Sequence, residues 1–377
     1  MRLFPLLFVL VLTACTARDR VEYVQGPAPA TALVPMLVAT TRLTDPAQNA
    51  PGWDRSETVS YGRYTVSIPP QREIGEIPRP RGRQVADPQR HFMLSESQEL
   101  TGPGFETAIR SAFLDLPANE REAVVFVHGF NNTFIEGLYR GAQLDYDLRL
   151  PGIMVQYSWP SLGAPLAYAY DRDSALFARD GLVEMLRRVR AAGPRRIILI
   201  GHSMGAQLVM EVLRQLALTD DPALGAIGGV FLLSPDIDVD LFRQQVSVIG
   251  ALPQPFVIVT SRRDRILTLS ARLSGETARL GNLPDAAPVE GLGVTLVDVS
   301  AFSQGVGHFT LGSSPALIGL VGQLHLVNTA LAGDQSGALP LLPATILTLQ
   351  NTTQVILQPM TETRPRRILP AWLPQGQ

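Results

Sequence analysis

The sequence predicts an α/β fold: a mainly parallel central sheet with helices on both faces and no large cap domain. Three observations predict it. Short apolar runs alternate with helical patterns through the middle of the chain, as they do when each parallel strand is followed by a crossover helix. The run Ile197-Ile198-Leu199-Ile200 is apolar at every position, which suits a strand buried on both faces. From Met204 the apolar residues Met204, Leu208, Val212 and Leu216 recur every four positions, one face of a helix, so strand gives way to helix within a few residues.

In chain order, "ALVPMLVATTR" and "RYTVSIPP" read as strands, and the Pro-, Gly- and Arg-rich stretch "IPRPRGRQVADPQR" as a loop. "AVVFVHGF" is the next strand, followed by a helix from about Phe134 that Thr133 and Glu136 open as a capping box. "GIMVQYSW" precedes a helix from about Ser174, and "RRIILIGHS" precedes the helix at Met204. "GGVFLLSPDID", "PFVIVTSRRD" and "GVTLVDVSAF" complete the strands. Between "SPDID" and "PFVIV" there is room for one crossover helix, not for a cap domain. The site is therefore expected to be open, roofed by the loops after Trp159 and within 70–110. Near the end, "TILTLQ-NTT-QVILQP" reads as a hairpin before a Pro-rich tail.

The chain has 377 residues, 46% hydrophobic and 18% charged, which is ample for one large core. A net charge of −2 gives no electrostatic case for binding nucleic acid. All basic residues are Arg. Cys15 is the only cysteine, which excludes an internal disulfide and a cysteine-built metal site. It follows Met1-Arg2, the apolar run "LFPLLFVLVLTA" and the small residues of "LTAC", the layout of a secretory signal. Leu12-Thr13-Ala14-Cys15 resembles a bacterial lipobox, in which the cysteine is lipidated and becomes the mature N-terminus. The expected organisation is a signal peptide over 1–15, a tether over 16–30, one domain over 31–330 and a C-terminal extension over 331–377. The expected location is the cell envelope, on the periplasmic side of the outer membrane in a Gram-negative cell, with Cys15 as the membrane attachment.

The strand–helix corner is Gly201-His202-Ser203-Met204-Gly205, a G-x-S-x-G pentapeptide. In a nucleophile elbow such a serine takes a strained turn that lifts its hydroxyl above the sheet. A serine hydroxyl needs a base, an orienting acid and an oxyanion hole, with the acid and then the histidine following in the chain. Of five histidines, His91 and His128 precede the corner and His202 lies within it; only His308 and His325 follow with an acid between. His308 sits in the Gly-rich "SQGVGHFTLG" just after the last strand pattern, whereas His325 lies in an apolar helical stretch. His308 is the expected base. Asp264 in "SRRDRIL" is the favoured acid and Asp236 in "SPDID" the second choice; both end strands, and Asp238 and Asp240 suit helix caps.

The oxyanion donors are expected to be the backbone N–H groups of Met204 and Phe130, with Asn131 as alternative to Phe130. His128 is given a loop-orienting role and His202 is expected to face inward. "YDRDSALFARD" reads as a charged cap with surface ion pairs, and Arg187, Arg188 and Arg190 as a solvated helix face. Trp159 is read as either pocket wall or packing.

With these residues assembled, the chain resembles the alpha/beta-hydrolase superfamily, and more closely the bacterial secreted or lipidated hydrolases called DUF900. The resemblance rests on "VFVHGFNNTF", "AQLDYDL", "YSWPS", "YAYDRDSA", "HSMG", "SPDIDVDLFR" and "SRRDRILTLS", and covers roughly residues 31–320. It implies a cofactor-free serine hydrolase with the triad Ser203, Asp264 and His308. The expected activity is cleavage of a small-molecule or lipid carboxylic ester, with no metal. The rival readings are an acyltransferase, lipase or peptidase using the same residues, and a non-catalytic envelope lipoprotein that binds a partner.

Overall fold

The computed structural model describes residues 18–25, 31–82, 84–275, 278–302, 308–318, 345–351 and 354–359. Cys15 and His325 lie outside the described residues. Among the described residues eleven strands form one sheet: β1 Ala32–Asp45, β2 Ala50–Ile68, β3 Met93–Leu100, β4 Glu122–Val127, β5 Ile153–Ser158, β6 Arg196–His202, β7 Ile227–Leu233, β8 Phe256–Thr260, β9 Thr295–Asp298, β10 Thr345–Asn351 and β11 Gln354–Pro359. Their spatial order is β11-β10-β9-β8-β7-β6-β4-β5-β1-β2-β3. From β10 across to β1 every pairing is parallel; β1–β2, β2–β3 and β10–β11 pair antiparallel.

The helices between them are α1 Gly102–Leu114, α2 Phe134–Leu148, α3 Tyr168–Phe177, α4 Arg179–Ala191, α5 Met204–Leu218, α6 Val239–Ile249 and α7 Arg265–Leu273. Strand alternation divides the core. In β4, Ala123, Val125 and Val127 face a cluster with α1, α4, α5 and α6, while Val124 and Phe126 face α2. In β6, Ile197 and Leu199 join the first cluster, Ile198 and Ile200 the second. Both faces of these strands are thus dry, which is why the sequence carries no polar alternation there.

Three boundaries differ from the sequence reading. β2 begins at Ala50 instead of Arg63, since a long β1–β2 hairpin pairs Asp45 with Ala50. Within 70–110, β3 and α1 stand in place of part of the expected loop; β3 is polar at most positions because it is an edge strand with one exposed face. The helix after β5 starts at Tyr168 instead of Ser174, and α3 passes to α4 at Ala178. Residues 18–25, read as a tether, lie against the domain: Val24 N–H donates to Leu94 O (2.8 Å) and Leu94 N–H to Glu22 O (2.8 Å).

The parallel run brings the carboxyl ends of β4 to β9 to one edge. Loops leaving those ends carry Phe130, Trp159, Ser203, Asp236, Asp264 and His308, so the topology alone gathers the candidate catalytic residues at one edge of the sheet.

Candidate active site

Ser203 sits between β6 and α5 with φ 53° and ψ −122°, a left-handed backbone that a serine adopts only under strain, at a cost of about 1–3 kcal/mol. The surroundings hold it there. Ser203 N–H donates to Leu233 O (3.0 Å), and Ser203 O accepts from Ala206 N–H (3.0 Å) and Asp236 N–H (3.2 Å). Both glycines of the pentapeptide are required by space. A Cβ on Gly205 would lie 2.2 Å from His128 O, and one on Gly201 would lie 2.7 Å from Ala206 Cα. α5 begins at Met204, so its N-terminal amides and the positive end of its dipole adjoin Ser203.

His308 and Asp264 form the one histidine–carboxylate pair of the site among the described residues, Nδ1 to Oδ2 at 2.8 Å. Asp264 is fully buried, and its other oxygen accepts from Leu267 N–H (3.0 Å) as the N-cap of α7. One carboxylate thus both starts a helix and fixes the histidine ring, whose Nε2 has no bond among the described residues. Asp236, the second choice, turns elsewhere: it ion-pairs with Arg279 Nε (3.1 Å) and accepts from Ser270 Oγ (2.7 Å) and Tyr168 OH (3.0 Å). Asp238 caps α6, as its position suggested.

His202 is buried beside the pair, its ring 5.0 Å from that of His308 and 4.3 Å from that of Phe309. Burial first, then the neighbouring His308 and Arg140, hold its pKa well below the ordinary value, so it stays neutral. Phe309 carries the Arg140 guanidinium 4.7 Å over its ring. Arg140 also donates to Gly75 O and Gly312 O, both at 3.3 Å, and so ties the segment after His308 to α2. Burial pushes the Arg140 pKa down to about 10.

The loop after β4 is equally specified. The Gly129 carbonyl accepts from Asn132 Nδ2 (3.2 Å) and lies 2.9 Å from His128 Nδ1. Because a trans peptide points its N–H opposite to its C=O, these bonds orient the Phe130 N–H away from them. Asn131 (φ 58°) gives its own N–H to Asp171 Oδ2 at 3.1 Å, which removes it as a free donor. Phe130 and Met204 N–H have no such partner among the described residues. His128 stacks on Trp159 (4.9 Å), whose indole donates to His128 O (2.7 Å). Burial and the nearby Arg42 lower the His128 pKa to about 3, so this ring is a neutral strut. Trp159 is fully buried, which assigns it to packing. The Thr133–Glu136 capping box is formed in both directions.

Sequence reasoning missed Asp171, Arg42, Arg140 and Arg18. Asp171 belongs to "YDRDSALFARD", read as a surface cap, yet it is buried and accepts from Ser161 Oγ (2.5 Å), Leu162 N–H (2.7 Å) and Asn131 N–H. Arg42, also buried, donates to Asn132 O (2.9 Å), Ser161 O (3.0 Å) and Ser158 Oγ (3.0 Å). Burial pushes its pKa down to about 9 against the opposing pull of Asp171. Asp171 lies within a charged run, and Arg42 and Arg140 stand singly among uncharged neighbours, so no periodic signal marked them. Arg187 and Arg190 are exposed as expected, while Arg188 between them is half-buried and bonds Glu106, Glu184 and Tyr61.

No curated protein matches the chain. Among solved structures it is similar to esterase Est22, at 12% identity and a TM-score of 0.28, covering 72% of this chain and 64% of that one. It is similar to the structure of esterase Est22 with p-nitrophenol at the same identity, TM-score and coverage. The chain therefore spans about 64% of the length of the solved structures it matches. A family model described as alpha/beta hydrolase of unknown function (DUF900) matches residues 106–324, more than half of the chain, a span that includes Phe130, Ser203, Asp264 and His308. The chain belongs to the DUF900 family of alpha/beta hydrolases.

Proposed function

We propose that the protein is a serine hydrolase that cleaves carboxylic esters through an acyl-enzyme, with Ser203, His308 and Asp264 as its triad. The observation that carries this reading is the 2.8 Å bond from His308 Nδ1 to the buried Asp264, at the same strand edge as the strained Ser203. Asp264 holds the ring so that Nε2 takes the Ser203 proton as Oγ attacks the ester carbonyl carbon. The carbonyl π pair moves to oxygen, and the N–H groups of Phe130 and Met204 donate to the resulting oxyanion. Collapse expels the alcohol, which leaves with the proton from His308. Water then attacks the acyl-enzyme, giving a proton to His308; Ser203 regains it as the acid departs.

The test is hydrolysis of p-nitrophenyl esters by the folded protein and by Ser203→Ala. Loss of turnover in the variant, with its melting temperature retained, supports the assignment; equal turnover overturns it. We also propose that Cys15 is lipidated and holds the protein at the envelope membrane, a reading that rests on the "LTAC" sequence. Cys15→Ser then shifts the protein from the membrane to the soluble fraction; retention through washing contradicts it.

A further inference from the structure

We propose that Arg18 is a positioning residue for the proposed reaction, clamping the loop that carries the Phe130 N–H, so that the segment before the domain is a working part of the site. The inference rests on the serine-hydrolase reading above and adds to it a residue outside the 106–324 family region.

The geometry is unusually complete for a residue near a chain's start. Arg18 forks onto Glu136, Nε to Oε1 at 3.0 Å and Nη2 to Oε2 at 2.9 Å. Nη1 donates to Asn131 Oδ1 and to Gly163 O, each at 2.9 Å, and Nη2 donates to Asn131 O at 2.9 Å. Each of the five guanidinium N–H donors thus has a bond, and the planar fork fits only one arrangement of its partners. The Arg18 carbonyl is held in turn by Arg79 Nη2 (2.5 Å) and Thr133 Oγ1 (3.3 Å). The bridge of residues 22–24 to Leu94 fixes the segment at a second point.

Asn131 is the residue gripped. Asp171 takes its N–H from the buried side, and Arg18 takes its carbonyl and side chain from the outer side. Its φ of 58° is left-handed, a region asparagine tolerates better than most non-glycine residues, and these bonds fix it there. Phe130 is the preceding residue; rotation about the Asn131 backbone would swing the Phe130–Asn131 peptide and disturb the bonds of Asn132 Nδ2 to Phe130 O (2.8 Å) and Gly129 O (3.2 Å), the second of which orients the peptide that carries the Phe130 N–H. Glu136 is the N3 member of the α2 capping box, so the same arginine also bears on the helix that the loop enters. A misplacement of about 1 Å in such a group costs roughly 100-fold in rate. Loss of the clamp is accordingly expected to act on the transition state more than on substrate binding.

The experiment uses the full chain in detergent, p-nitrophenyl acetate as substrate, and Arg18→Ala, Arg18→Lys and Ser203→Ala. The expected result is a kcat for Arg18→Ala about 10- to 100-fold lower with KM within about threefold, and an intermediate kcat for Arg18→Lys. Affinity for a trifluoromethyl ketone, which forms an oxyanion on attack by the serine, should fall by the same factor as kcat/KM; a merely structural arginine would not produce that match. Arg18→Lys keeps the test decisive if Arg18→Ala does not fold. Unchanged kcat and ketone affinity in both Arg18 variants, with Ser203→Ala inactive, overturns the clamp alone. Full activity in Ser203→Ala overturns the serine-hydrolase reading and the clamp with it.

Discussion

Asp264 meets His308 with one carboxylate oxygen, 2.8 Å from Nδ1, and caps α7 at Leu267 N–H with the other. Asp236, one strand away and equally buried, is occupied by Arg279, Ser270 and Tyr168. The two acids therefore have separable effects. Asp264→Asn should lower kcat by roughly 1,000- to 10,000-fold, since the amide favours the wrong imidazole tautomer. Asp236→Asn should leave turnover within about tenfold yet destabilise the fold by about 1–3 kcal/mol, because the buried carboxylate that Arg279, Ser270 and Tyr168 all meet becomes a neutral amide with one acceptor oxygen. Steady-state kinetics and urea unfolding of both variants separate these; the reverse pattern would give the acid's role to Asp236.

Gly205→Ala tests the corner itself. The added methyl would fall 2.2 Å from His128 O and 2.6 Å from Val127 O, both backbone atoms that cannot swing aside. The elbow or the end of β4 must shift, at about 1–3 kcal/mol of stability. Activity should fall further than stability does, since both Ser203 and the Phe130 loop move. A variant with unaltered melting temperature and turnover would show that the approach is looser than this.

Asp171 tests the support under the loop after β4. Asp171→Asn keeps the shape but replaces an acceptor of three bonds with a group that presents one oxygen and an N–H₂ toward Asn131, Leu162 and Ser161. The expected result is a loss of about tenfold or more in kcat with little change in KM. Kinetics equal to those of the unmodified protein would confine Asp171 to a structural role.

Asp145 on α2 gives a pH dependence of stability. Burial pushes its pKa from 3.8 up to about 7. Between those values the folded state binds more protons than the unfolded one, so this group's contribution to stability falls as pH rises, and its penalty is complete above about pH 7. Asp145→Asn should therefore stabilise the protein at pH 8, with the gain shrinking as pH falls toward 4. Urea midpoints across that range check it; a gain independent of pH would contradict it.

Much of this was legible in the sequence, and the reasons are physical. The unbroken apolar runs of β4 and β6 follow from burial on both faces, and the change of period at Met204 follows from the turn into α5. Gly201, Gly205, Thr133 and Glu136 report local backbone demands, so local sequence reveals them. His308 was legible by chain order and Asp264 by strand order. β3 was not, since an exposed polar edge strand lacks a hydrophobic pattern. Nor were Asp171, Arg42 and Arg140, whose partners lie far along the chain or on the backbone of other loops. Arg18 was hidden most completely: its Asn131 and Glu136 partners are 113 and 118 residues away.

The central claim is that Ser203 is a nucleophile activated by His308. The most direct measurement is labelling of the purified protein with a fluorophosphonate probe, beside Ser203→Ala and His308→Ala, with the modified peptide mapped by mass spectrometry. The account predicts one adduct, on Ser203, formed in the unmodified protein and absent from both folded variants. No adduct on the folded unmodified protein, or an adduct elsewhere that persists in Ser203→Ala, would contradict it.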